Sequence, residues 1–467
     1  MSVAASVSQL CAWTGGHALH GGPDQTFSGT KIDSREIEAG DLFVAIVGPN
    51  HDAHRFVPDV LAAGAAGALV QSDRVGDTLV RGEAFVVHVD DTTRALADLA
   101  RGHRAGFDGP LVGITGSNGK TTTKELCAGI LARVAPTLAT RGNLNNAFGV
   151  PLTLLRRAEA DRFAVVEMGM NHRGEIATLA AIASPGIGVL TNVGTAHIEF
   201  LGSREAIAEE KGDLLAALPA SGTAIVPRDE PLAFAQAKRT QARVLSFGRE
   251  PSADLQASAV RFLDEGAFAF TLASPFGRAE IRVPGLAPTI VENALAAAGG
   301  ALAAGADLDA VASGLAAHEG IPGRMQPRVL PGGVYVIDDA YNANPQSMQN
   351  ALETLARLET RGRRFAVLGA MGELGERAPA AHRELGRLAA ALGLDGLFTL
   401  EGPAEGIAAG ARDGGLPDDR IHVAPDHEAL ARVLAARLAP GDRVLVKGSR
   451  AARMERVLEA LEEDRKT

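Results

Sequence analysis

The chain has 467 residues, too many for one hydrophobic core and enough for about three domains of ordinary size. Hydrophobic residues make up 46%, as in globular proteins, and no run of about 18 apolar residues could cross a bilayer. Two cysteines exclude a disulfide framework, and a net charge of −10 without a long basic run argues against nucleic acid as the main partner. The N-terminal MSVAASVSQLCAWTGG lacks the basic start and long apolar run of a signal peptide, so a cytoplasmic protein without membrane insertion is expected.

Short apolar runs rich in β-formers alternate with longer helical patterns, the signal of an α/β fold with mainly parallel sheets. The expected division is 1–106, 107–318 and 319–467, with a central P-loop-type sheet and a C-terminal Rossmann-like unit. In the first unit, DLFVAIVG, GALVQ and FVVHV read as strands, FVPDVLAAG as amphipathic and DTTRALADLARGHRAG as a closing helix. The second opens with the strand LVGITG (111–116) and continues with FAVVEMG (163–169), IGVLTNV (187–193) and GTAIVP (222–227), with helical pattern between them. From 254 to 283 the residues alternate without helical period, which predicts a small antiparallel section, and VENALAAAGGALAAG closes the unit as a helix. In the third, VYVIDD, RRFAVLGA, GLFTL, IHVA and RVLVKG are strands of a doubly wound sheet. Cys127, in the helical LCAGILARV, reads as a small buried hydrophobe.

The strongest chemical signal is GITGSNGKTTTKE (113–125), where a strand runs through a glycine turn into a helix. Such a turn aims backbone N–H groups and the positive end of the helix dipole at a phosphate. Lys120 can reach β- and γ-phosphates, and the Thr121 hydroxyl can ligate Mg²⁺. The spacing is Gly116-x-x-Gly119-Lys120-Thr121, with Ile114 where the common pattern has its first glycine, so the bare pattern is also that of an ordinary turn before a helix. Glu167 ends one strand and His197 follows another, both expected to finish at the edge that carries this loop, where a carboxylate and an imidazole could serve a metal or the substrate it bridges. Each has a plain alternative, Glu167 as a helix cap and His197 as a loop histidine. Lys211, in AIAEEKGDLLAAL, reads from composition as a solvated lysine paired with Glu209 or Glu210.

The runs GITGSNGKTTTKE, GNLNNAFGVPLTLL, EMGMNHRGEI, LTNVGTAHIEFLGS, EEKGDLL, DDAYNANPQSM, LGAMGELGE and VLVKGSRAARMERV resemble the Mur ligase family over nearly the whole chain. EMGMNHRGEI and YNANPQSM are the more specific runs, and they point to the member that adds D-alanyl-D-alanine. The resemblance implies a monomeric ATP-dependent ligase joining D-alanyl-D-alanine to UDP-N-acetylmuramoyl-tripeptide through an acyl phosphate, in peptidoglycan synthesis. It implies a first domain for the UDP precursor, with Ser34, Arg35, Asp52 and His54 in it, and Asn145 and Asn146 facing the muramoyl-peptide. Gly116, Ser117, Asn118, Gly119, Lys120, Thr121 and Thr122 would hold ATP phosphates, Asn293 the adenine side, and Arg324 and Asp339 further ATP contacts. Lys447, Ser449 and Arg450 belong to the KGSR run of the C-terminal domain. Thr121, Glu167, His197 and Lys211 would serve Mg²⁺, Lys211 as a carbamate, and Lys120, His197 and Lys211 would carry catalysis. The chain departs from the family at Thr289 and Ala147, where histidine is common.

Overall fold

Short strands build three large sheets, in which central strands such as Leu111–Thr115 and Phe163–Glu167 are buried along their whole length. The computed structural model describes residues 4–48, 50–74, 82–264 and 266–464. Among these, no helix is long and apolar enough to cross a membrane.

The first sheet has five strands, in the order His17–His20, Phe85–Val89, Gly67–Gln71, Asp41–Val44, Gly29–Lys31, and only the first pair is antiparallel. The helix Thr92–Ala105 closes it. His17–His20 and Gly29–Lys31 were not foreseen. The former is exposed at every residue and carries no apolar signal.

The second sheet has nine strands, and Leu111–Thr115 lies between Phe163–Glu167 and Ile187–Leu190, parallel to both. Successive residues of Leu111–Thr115 enter different cores. Leu111 joins Leu179 and Leu214, while Val112 and Ile114 join Cys127, Ile130 and Leu295. A strand with no solvated face reads as a continuous apolar run. The expected antiparallel section is present as Leu255–Leu263, Ala267–Ser274 and Gly277–Pro284. Thr137–Ala139 and Arg243–Gly248 are additional strands of this sheet. Arg243–Gly248 was masked by Ser246, a buried polar residue whose hydroxyl donates to Asp254 Oδ2 at 2.6 Å. The helix Thr289–Ala303 lies against the sheet through small residues, and a Cβ at Gly299 would stand 2.9 Å from Ile225 Cγ2.

The third sheet has the order Gln326–Leu330, Val334–Asp339, Arg443–Lys447, Arg364–Leu368, Gly396–Leu400, Ile421–Ala424. All its strands are parallel except the edge strand Gln326–Leu330, which was not foreseen and leaves Val329 exposed.

Candidate active site

The loop after Leu111–Thr115 is shaped by two glycines. Gly119 has φ 78°, and a Cβ there would stand 2.2 Å from Asn293 Oδ1; a Cβ at Gly116 would stand 1.8 Å from Thr191 Oγ1. The Ser117 N–H donates to Asn192 O at 3.0 Å and the Asn118 N–H to Asn192 Oδ1 at 2.9 Å. Those two amides, expected to face phosphate, therefore hold the loop's own shape. The first-turn N–H groups of the helix Lys120–Leu131 lack intrahelical acceptors and remain to face an anion, Thr121 and Thr122 among them. Lys120 folds back, its Nζ donating to Gly116 O at 2.8 Å and to Ser117 O at 3.4 Å. Loss of solvent lowers its pKa, and the Glu167 carboxylate opposes that shift.

Glu167 ends the strand beside the loop and is 1% exposed. Its Oε1 accepts from Asn145 Nδ2 at 2.7 Å, while its Oε2 is buried without a hydrogen-bond partner. It caps no helix; the helix Glu175–Ala183 receives Glu210 instead, which accepts from Gly174 N at 2.7 Å and Ile176 N at 2.9 Å. Thr121 is buried and lines the same cleft as Glu167 and His197. His197 sits in left-handed backbone (φ 64°), its Nδ1 2.6 Å from Glu373 Oε2 on the far side of the cleft.

The solvated reading of Lys211 is corrected here. The side chain is 0% exposed on the helix Arg204–Ala216, and its Nζ has no hydrogen-bond partner. Glu210 is committed to the neighbouring helix end, and Glu209 lies 3.8 Å from Arg173. Burial, reinforced by the charge of Lys120, holds the Lys211 amine well below the ordinary lysine range. Lys211 is not among the residues that line the cleft, although the charge of the lining Lys120 acts on it.

The cleft, about 1460 Å³, runs between the second and third sheets. Asn293 and Thr289 line it from the second. From the third come Arg324, stacked 4.2 Å from the Tyr341 ring centroid, and the buried pair Asp339–Lys447, whose Oδ2 and Nζ are 2.6 Å apart. Ser449 and Arg450 also line it, Arg450 pairing with Glu455 at 2.9 Å. Glu373, Asn344 and Gln346 line it as well. No role was expected for those three, because their partners lie more than a hundred residues away in sequence.

Other expected residues lie elsewhere. Asn146 turns away from the cleft, its Oδ1 accepting from Phe148 N at 3.1 Å and Gly149 N at 2.9 Å, and Ala147 beside it is exposed. In the first unit, the exposed Arg35 donates from Nε to Asp33 Oδ1 at 2.9 Å, next to half-buried Ser34. His54 is buried and acts as a strut. The Gln71 N–H donates to its Nε2 at 2.8 Å, which places the proton on Nδ1, 2.6 Å from Asp52 Oδ1. With both ring nitrogens engaged, the ring offers no free polar atom to a ligand.

Three Mur ligase family models match the chain: "Mur ligase family, catalytic domain" over 26–104, "Mur ligase middle domain" over 114–301 and "Mur ligase, glutamate ligase domain" over 323–450. The UDP-N-acetylmuramoyl-tripeptide–D-alanyl-D-alanine ligase of Mycobacterium tuberculosis is 38% identical, with 98% of each chain covered. The enzyme of the same name from Escherichia coli is 36% identical, with 95% of each covered. MurF from Acinetobacter baumannii superposes with a TM-score of 0.89 at 33% identity, covering 99% of both chains. MurF ligase from Thermotoga maritima, in complex with ADP, gives 0.81 at 33% identity, covering 94% of this chain and 98% of that one. The folylpolyglutamate synthase of M. tuberculosis shares the fold, with a TM-score of 0.63 at 20% identity over 78% of this chain and 94% of its own. The chain belongs to the Mur ligase family.

Proposed function

We propose that this chain uses ATP to join D-alanyl-D-alanine to UDP-N-acetylmuramoyl-tripeptide, giving the pentapeptide precursor of peptidoglycan, ADP and phosphate. The observation that carries the reading is end-to-end similarity, at 36–38% identity, to two ligases bearing that name. Residues 1–106 take the UDP portion, with Ser34, Arg35 and Asp52 as candidate contacts. Residues 107–318 take ATP, and 319–467 complete its site through Arg324 and Asp339. Asn293 serves the adenine side, and Asn145 the peptide.

A carboxylate does not condense with an amine at neutral pH, because its leaving group is too poor. In the proposed reaction the tripeptide carboxylate attacks the γ-phosphorus of ATP, forming an acyl phosphate and releasing ADP. The amine then adds to the acyl carbon, and the tetrahedral oxyanion collapses with loss of phosphate. Lys120 leaves the loop carbonyls and offsets negative charge on the transferring phosphoryl group. The two faces of the cleft hold the reactants together and limit water.

The residues present fit Mg²⁺. The partnerless, buried Glu167 Oε2 and the Thr121 hydroxyl are oxygen donors beside a phosphate loop, and this cation takes one or two carboxylates plus substrate phosphates. When bound, it neutralises charge on the phosphates. Lys211 fits a further anionic ligand: its neutral amine can add CO₂ to give a carbamate and a proton, which with His197 would serve a second cation. The partnerless Nζ supports this.

The assay is ADP release with a panel of UDP-muramoyl-peptides and amines. Release should require both the tripeptide and D-alanyl-D-alanine. Equal rates with free D-alanine or a diamino acid would overturn the assignment. Slow hydrolysis indifferent to both substrates would instead indicate a nucleotide-binding switch.

A further inference from the structure

Each polar atom of Asn118 has a partner within the protein. Its N–H donates to Asn192 Oδ1 at 2.9 Å, and its carbonyl accepts from Thr191 Oγ1 at 2.6 Å and Asn192 Nδ2 at 2.8 Å. Its side chain crosses the cleft, where Oδ1 accepts from Asn344 Nδ2 at 2.6 Å and Nδ2 donates to Gln346 Oε1 at 3.1 Å.

The amide orientations follow from the network. Asn344 is the N-cap of the helix Pro345–Arg357, and its Oδ1 accepts from Ser347 N at 3.0 Å. Its NH₂ must therefore face Asn118 Oδ1, and Asn118 in turn presents its NH₂ to Gln346. Gly194, beside the loop, is a close neighbour on the same side: a Cβ there would stand 2.5 Å from Gln346 Oε1. Asn118 thus has its backbone held by the second sheet and its side chain held by the third.

We propose that Asn344 and Gln346 are positioning residues for phosphoryl transfer. Acting through Asn118, they hold the phosphate loop in its working shape while the C-terminal domain is docked. This rests on the reading that the loop takes ATP, and it adds a reason for the loop to respond to domain position: a hydrogen-bonded residue with partners on both sides of the cleft.

The test uses the full chain with Asn118→Ala, Asn344→Ser, Gln346→Leu and the double variant Asn118→Ala/Asn344→Ser. Serine keeps the helix cap but is too short to reach Asn118. Expected is a loss of kcat on the order of tenfold in each single variant, as for removal of one hydrogen bond. The double variant should lose no more than Asn118→Ala alone, with thermal midpoints near wild type. A second readout, small-angle scattering with a non-hydrolysable ATP analogue, should show the same variants shifted toward the open form. Multiplicative losses in the double variant, unchanged kcat in Asn344→Ser, or a loss explained by a lower midpoint would each overturn the proposal. A wild-type protein that compacts with the analogue but forms no peptide bond would refute the ligase reading, while non-additive scattering shifts would still uphold this contact.

Discussion

Replacing Lys211 separates chemistry from stability in one experiment. The Nζ is fully buried and partnerless, and its pKa is lowered by burial first and by Lys120 second. An unfolded lysine holds its proton to about pH 10.4, whereas the folded amine releases it earlier. Below the lowered native value both states bind the proton, and the folded state carries the whole cost of the buried charge. Stability then rises with pH until the unfolded chain also deprotonates. Lys211→Met keeps the length and apolar stem while removing the ionisable group. It should therefore raise the thermal midpoint at pH 7, by about 1–2 °C if the gain is 1 kcal/mol, the smaller shift applying if the whole chain unfolds as one unit. The same change removes the nitrogen on which the proposed carbamate would form, so kcat should fall about 100-fold or more, equivalent to roughly 2.7 kcal/mol of barrier. Lys211→Ala should lose a similar factor but leave room for added acetate or formate to restore part of it. Carbon-13 NMR of protein equilibrated with labelled CO₂ should show a carbamate signal that both variants lack. A Lys211→Met protein with near-normal turnover, or one destabilised at pH 7, would refute the reasoning.

Lys120→Ala should lower kcat by about 10²–10³-fold, costing about 3–4 kcal/mol of barrier as for loss of one transition-state donor, with unchanged circular dichroism; wild-type kcat would refute the phosphate-loop reading. Asp339→Ala leaves the buried Lys447 ammonium without its carboxylate 2.6 Å away, so chemical denaturation should show a loss of about 3–5 kcal/mol. An unchanged midpoint would mean that Lys447 had found another partner. ATP analogue and UDP-muramoyl-tripeptide together should favour the closed arrangement, because the proposed reading has Arg324 and Lys120, which both line the cleft, meet one nucleotide. A persistently open form with both ligands, seen by small-angle scattering, would count against it.

Much of the molecule was legible from local pattern. A strand buried on both faces is apolar along most of its length, so Leu111–Thr115, Phe163–Glu167 and Ile187–Leu190 could be read directly, and parallel pairing brings their C-terminal ends to one edge. The glycines of the loop and the Lys-Thr pair after them carry their own chemistry, and nearly the whole chain carries the family's motifs. Short edge strands such as Thr137–Ala139 and His17–His20 escaped, because pairing rather than burial defines them.

What the sequence determined by itself was the strand, glycine turn and helix of the loop, and which strand ends would share its edge. What the tertiary structure alone decided was the use made of each polar group. In the run Glu209-Glu210-Lys211, one side chain is exposed, the next caps another helix and the third is buried without a partner. Ser117 and Asn118 spend their amides on Asn192, and His54 spends both ring nitrogens on its own domain. The physical reason is that a hydrogen bond or a desolvated charge depends on atoms brought within about 3 Å, and those atoms come from segments far apart in the chain.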